Sequence, residues 1–217
     1  TSHKPQATSH KPQATSHKPQ VRFSGFNDVW LEKKFKDIAT LSRGLTYKPS
    51  FVSMSGVRVL RSSNVFEDRF VLKNDDVFVT SDAVNIQPIK NGDILITSAN
   101  GSNRLVGKHA IVKGLHEDAV HGGFMLKAET DTPEFVNALM NSKWYSEFIS
   151  KFVSGGNGAI GNLKKNDLDN HLARIPSLPE QQKIGQLFKQ LDARISNEQT
   201  KIEQLKAQKQ GLLQRML

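Results

Sequence analysis

The chain has 217 residues, room for one domain of ordinary size plus an extension, and carries 30 Lys and Arg against 21 Asp and Glu, a net charge of +9. Cysteine is absent, which removes disulfides and argues against a zinc site, and no apolar run reaches the ~18 residues of a membrane span or follows a signal-peptide layout. A pI near 9.7 favours an anionic partner such as nucleic acid, although plain basic proteins share it, and the expectation is a soluble, cytoplasmic protein without membrane association.

Residues 1–20 repeat the hexapeptide TSHKPQ three times, joined by alanines. It offers nothing apolar to bury and each copy holds a proline, so it reads as a flexible tail, of low complexity or left from expression. Its regularly spaced His and Lys could also hold a metal or phosphate. Lys4, Lys11 and Lys18 lie here, leaving +6 for the rest of the chain.

The folded domain is expected over 21–176. It opens with Phe23, Phe26, Trp30, Leu31, Phe35, Ile38 and Leu41 among charges; 28–41 reads as a strand or short helix closed by Gly44, and Thr46-Tyr47-Lys48-Pro49 is loop chemistry. Short β-rich runs follow at 57–60, 70–72, 77–80, 94–98, 110–112 and 124–127, separated by turns such as Asn91-Gly92-Asp93 and Gly122-Gly123. At Thr132-Pro133 the pattern changes to one helix, capped by Thr132, with Phe135, Val136, Leu139, Met140, Trp144 and Phe148 on one face. Ser154-Gly155-Gly156-Asn157-Gly158 ends that helix and opens a flexible loop. The fold class is therefore α+β: a mixed, mostly β domain with a few helices.

From 177 to 217 the spacing predicts one long helix. Ser177 and Glu180 form a capping-box pattern, Pro179 sits in the first turn, and no proline follows. Ile184, Leu187, Leu191, Ile195, Ile202, Leu205, Leu212 and Met216 recur at threes and fours, a seam too narrow for a globular core to wrap but suited to a partner helix. About 35 residues at 1.5 Å each make a rod of roughly 50 Å, read as a spacer or dimerisation arm.

Catalytic motifs are missing. There is no P-loop, no Gly-rich cofactor loop followed by the Asn/Asp-Pro-Pro-aromatic motif of DNA amino-methyltransferases, and no Pro-Pro at all. His109, His116, His121 and His171 lack paired metal spacing, and Glu32-Lys33-Lys34 lacks the preceding acid of a nuclease site. No catalytic or metal site and no bound cofactor are expected.

Several loops instead mix cations with amides, hydroxyls and glycine: Arg43, Thr46 and Lys48; Arg61, Ser62 and Asn64; Asn100, Ser102, Asn103 and Arg104; and Asn157 and Lys164. Arg suits guanine edges, Asn suits adenine, and hydroxyls and loop amides hold phosphates. Ordinary polar turns use the same residues, so the loops alone leave both readings open.

Four stretches resemble the specificity (S) subunit of bacterial type I restriction-modification enzymes: RFSGFNDVWLEKKFKDIA at 22–39, NGDILIT at 91–97, GNLKKNDL at 161–168 and, most specific, IPSLPEQQKIGQLFKQLDARI at 175–195. The resemblance spans 21–217 and implies a target-recognition domain that reads half of a bipartite site in double-stranded DNA, followed by a spacer helix. It further implies methyltransferase (M) and restriction (R) subunits as partners, with S-adenosylmethionine and Mg/ATP held only by them. Such subunits carry two recognition domains and two spacer helices, and this chain has one of each, so it reads as a natural half-subunit or a piece of a longer one. As a half, it is expected to pair with its own copy through the seam. An assembly adaptor that does not read DNA is the alternative.

Overall fold

The structure is a computed structural model that describes residues 19–153 and 161–217. The repeat tail at 1–18 and the glycine-rich loop at 154–158 lie outside the described residues.

Fourteen short strands and four α-helices make up the described chain, an α+β fold as the sequence predicts. The central sheet is antiparallel, in the order β10 (His109–Ile111), β8 (Ile94–Thr97), β12 (Met125–Glu129), β2 (Thr40–Arg43). All four residues of β8 are buried, because the strand is covered on both faces. Ile94 and Ile96 join Leu126, Ala128, Phe135, Val136 and Phe148 in the main core under the helices, while Leu95 points the other way to Leu60, Val112 and Met125. Fully burying each of the Ile, Leu, Val, Phe and Met side chains contributes about 1.5–3 kcal/mol.

A second sheet runs β11 (Ala119–His121), β4 (Val57–Leu60), β7 (Val77–Val79), β3 (Val52–Ser53), with β11 parallel to β4 and the other pairs antiparallel. Leu45, Val59, Val79 and Val120 form its small core. Three two-stranded ribbons complete the domain: β5 (Val65–Phe66) with β6 (Arg69–Phe70), β9 (Ala99–Asn100) with β13 (Gly161–Asn162), and β1 (Leu31–Lys34) with β14 (Leu172–Ile175).

The helix expected from Thr132 onward is two helices, α1 (Pro133–Met140) and α2 (Lys143–Phe152). The break lies at Asn141-Ser142, where the Ser142 hydroxyl donates to the Leu139 carbonyl at 2.6 Å and competes with helix continuation. Thr132 does not cap: its hydroxyl donates to Gln181 Oε1 at 3.0 Å. A short α3 (Lys165–Asp169) precedes β14.

α4 (Leu178–Met216) is the long helix, 39 residues and about 58 Å. The expected capping box is absent. Ser177 makes no side-chain cap, and buried Glu180 instead accepts from Nε and Nη2 of the Arg22 guanidinium, each at 2.7 Å, since a bidentate ion pair outweighs one capping bond. The first turns lie on the domain: Gly185 comes so close to α1 that an added Cβ would sit 2.8 Å from the Phe135 nitrogen, and Lys189 pairs with Glu134 at 2.8 Å. Ile184 packs against the main core. No described helix is long and apolar enough to cross a membrane.

Candidate nucleic-acid interface

The corner where the two sheets meet organises the candidate site. β11 belongs to one sheet and β12 to the other, and Gly122-Gly123-Phe124 turns the chain between them, closed by the Met125 amide on the Gly122 carbonyl at 2.8 Å. The segment after β2 runs alongside: Leu45 N donates to His121 O at 2.7 Å. Only glycine fits at 44, because a Cβ there would stand 1.9 Å from the Gly122 carbonyl oxygen. The end of β4 joins through Gly122 N to Leu60 O at 2.8 Å.

Two further segments lock onto the same turn. Ser98 N and Ala99 N both donate to the Phe124 carbonyl, at 2.9 and 3.1 Å. Leu163 N donates to Ser98 O at 2.7 Å, and Gly161 N donates to Asn103 Oδ1 at 3.0 Å. Four loops, at 42–48, 98–104, 121–124 and 161–165, thus share one backbone hydrogen-bond network, and a fifth, 61–64, follows directly on Leu60 and is tied in through the Asn100 and Ser62 side chains. They contain Arg43, Lys48, Arg61, Arg104, Lys164 and Lys165, and not one Asp or Glu.

Within this cluster the sequence-selected residues divide. Arg43, Thr46, Lys48, Arg104 and Lys164 are exposed. Among the described residues, none of these four cations has an ion-pair partner. Ser62 and Asn100 are joined, with Asn100 Nδ2 donating to the Ser62 hydroxyl at 2.9 Å and Asn100 Oδ1 accepting from Ser102 N at 2.9 Å. The structure thereby couples the 61–64 and 98–104 loops side chain to side chain. Asn103 spends its amide oxygen on Gly161. Asn157 lies outside the described residues.

Asn64 corrects the sequence reading. It is 0% exposed, its amide donating to Val71 O and to the Asp76 carboxylate while its oxygen accepts from Arg61 N. No base edge can reach it. Asp76 in turn accepts from Arg58 Nη1 at 2.7 Å, and Arg58 lies 4.6 Å over the Phe78 ring. This buried network holds the backbone from which Arg61 projects, and the Arg61 guanidinium donates to the Asp75 carbonyl at 3.4 Å.

His121 is a structural support. Its ring is buried, with Nε2 3.2 Å from the Ser42 carbonyl, and burial holds its pKa down to about 4. His109 is also buried, and desolvation lowers its pKa. His171 lies among Trp144 and Phe148 with ring centroids 5.0 and 4.6 Å away. Among the described residues no group of three or more His, Asp or Glu could hold a metal.

Phe124 was not among the sequence-selected residues, yet it stands 74% exposed at the centre of the cluster. On α4, Leu187, Leu191, Ile195, Ile202, Leu205, Leu212 and Met216 are all exposed, whereas Ile184 is taken by its own domain. Phe188 and Leu213, which the narrow seam omitted, widen the exposed stripe.

Comparison with known proteins gives a consistent answer. The family model for the type I restriction modification DNA specificity domain matches residues 27–207. The specificity subunits of the type I restriction enzymes StySPI from Salmonella potsdam and EcoKI from Escherichia coli K12 are each 29% identical over 184 residues, covering 81% of this chain and 39% of theirs. The MjaVIII specificity subunit of Methanocaldococcus jannaschii is 24% identical over 198 residues, 87% of this chain and 45% of its own. The fold matches the HsdS subunit from Thermoanaerobacter tengcongensis with a TM-score of 0.57 at 14% identity, over 86% of this chain and 41% of that one. It matches the S subunit from M. genitalium with 0.54 at 16%, over 83% and 43%. The chain spans about two fifths of the length of these relatives, and on the match across most of its own length it belongs to the type I restriction-modification DNA specificity domain family.

Proposed function

We propose that this chain is a DNA sequence-recognition unit of a type I restriction-modification complex, reading one half of a bipartite site in double-stranded DNA through the loop corner. The observation that supports this reading is the five-loop cluster: loops far apart in sequence, fixed by hydrogen bonds, carrying six cations and no carboxylate. Exposed cations without ion-pair partners suit phosphates, and Arg and Asn held on a rigid frame suit base edges. Chemistry falls to methyltransferase and restriction subunits, which carry S-adenosylmethionine and Mg/ATP. The chain itself supplies specificity and docking, and works in the cytoplasm.

We further infer that the exposed apolar stripe of α4 pairs with its own copy, antiparallel, so that two recognition domains sit at opposite ends of a helix pair. Relatives more than twice as long leave room for two such units in one chain, which a homodimer would restore. The same stripe supports the second reading, an assembly adaptor that pairs helices without reading DNA.

Retention of labelled duplex DNA at low salt, with the methyltransferase subunits present, separates the two. Alanine at Arg43, Lys48, Arg61 or Arg104 should weaken retention with the fold intact. A lost base contact should cost about 1–3 kcal/mol at one position, and a lost phosphate contact should weaken all sequences alike and reduce the salt slope by about 1. Unchanged retention in all four variants would leave the adaptor reading. Methyl transfer from S-adenosylmethionine by the isolated chain would overturn the assignment of chemistry to partners.

A further inference from the structure

Exposed apolar side chains scattered singly over a surface are ordinary, and Met54, fully exposed on the β3–β4 turn, is one. Phe124 differs in its surroundings. It is the apolar tip of the turn that joins the two sheets, its carbonyl is bonded by two amides of the 98–104 loop, and the preceding Gly123 abuts Thr46. The next turn residue back, Gly122, lies against the aliphatic stem of Arg61. The ring is therefore presented on a fixed backbone, amid polar and cationic loops, and stands 74% exposed.

We propose that Phe124 is a specificity-determining residue that reads thymine by apolar contact with its 5-methyl group in the major groove. The inference rests on the DNA-reading function proposed above and adds what the polar loops cannot supply. Arg and Asn distinguish guanine and adenine by hydrogen bonds, whereas the thymine methyl is the one apolar mark in the major groove and needs an apolar partner. A rigid turn holding a planar ring proud of its surface provides that partner without ordering a flexible side chain on binding.

The test starts with the full chain and the methyltransferase subunits selecting from a pool of random duplexes, followed by thymine-to-uracil replacement one position at a time in the selected duplex. Uracil keeps every hydrogen bond and removes only the methyl. Wild type should lose about fourfold in affinity at one thymine per half-site, the weight of one buried methyl. Phe124→Ala should show no loss at that position, and Met54→Ala should respond like wild type. Thermal unfolding at the wild-type temperature checks that Phe124→Ala is folded, as expected for so exposed a ring. If the selected half-site holds no thymine, or Phe124→Ala responds to uracil as wild type does, the inference is overturned. A rise in 2-aminopurine fluorescence that depends on Phe124 would also overturn it, since the ring would then be a wedge that unstacks bases. If no sequence is selected at all, the DNA-reading function fails first and this inference with it.

Discussion

At the scale of single residues, the same amino acid does opposite jobs a few residues apart. Asn64 and Asn100 look alike in the sequence, each in a Ser- and Arg-containing loop, and only tertiary contacts separate them. Asn64 is sealed under Arg61 by Asp76, while Asn100 lies part-buried in the loop cluster. Asn64→Ala should therefore lower stability by about 1–3 kcal/mol in denaturant titrations, because Asp76 and the Arg61 amide lose a buried partner. A variant with wild-type stability and altered base preference at one position would contradict this. Phe124 escaped sequence reading because Phe-Met-Leu-Lys reads as a buried strand start, and what turns its ring outward is the Gly122-Gly123 corner between two sheets. His121 yields a pH dependence. Below 6.5 the unfolded chain binds a proton that the folded chain refuses until about 4, so the stability from this difference is complete above 6.5 and drains away between 6.5 and 4. The whole effect is on the order of 3 kcal/mol, and His121→Gln should flatten the fall in melting temperature across that window.

At the scale of elements, legibility followed how much a segment depends on distant partners. α4 could be read from periodicity because most of its length is exposed, and β4, β7 and β8 because they are compact β-branched runs between turn residues. β1 could not. Its four residues, Leu-Glu-Lys-Lys, are all exposed, and only pairing with β14 across the domain makes them a strand. The first turn of α4 misled for a related reason: Glu180 sits at a capping position but finds Arg22, 158 residues away, within 2.7 Å. Glu180→Gln should lower the melting temperature by loosening the clamp of the N-terminal segment on α4, a change that calorimetry would register. Further along, Leu191→Asp with Leu205→Asp alters only exposed positions, so the fold should persist while light scattering reports a monomer. A wild-type chain that is already monomeric at micromolar concentration would remove the homodimer.

At the scale of the whole molecule, the proposed account joins a rigid reading corner to a rod of fixed length. A closed two-fold pair makes the two recognition domains identical and oppositely oriented, so their target should be an interrupted palindrome. A helix of about 58 Å, at about 3.4 Å per base pair, places the half-site centres no more than ~17 base pairs apart, and the docking of the first turns of α4 on their own domain shortens that further. The sequence carried the family and the rod, but not the corner, because the five loops that build it are brought together by hydrogen bonds that leave no composition signal. The most direct measurement is the methylation pattern of a genome in cells that hold the methyltransferase subunits, with and without this chain. The account predicts one interrupted palindromic motif that appears only with the chain and relaxes at a symmetric pair of positions in the Arg43→Ala or Arg61→Ala variant. A methylation pattern indifferent to the chain would contradict its role as the reader.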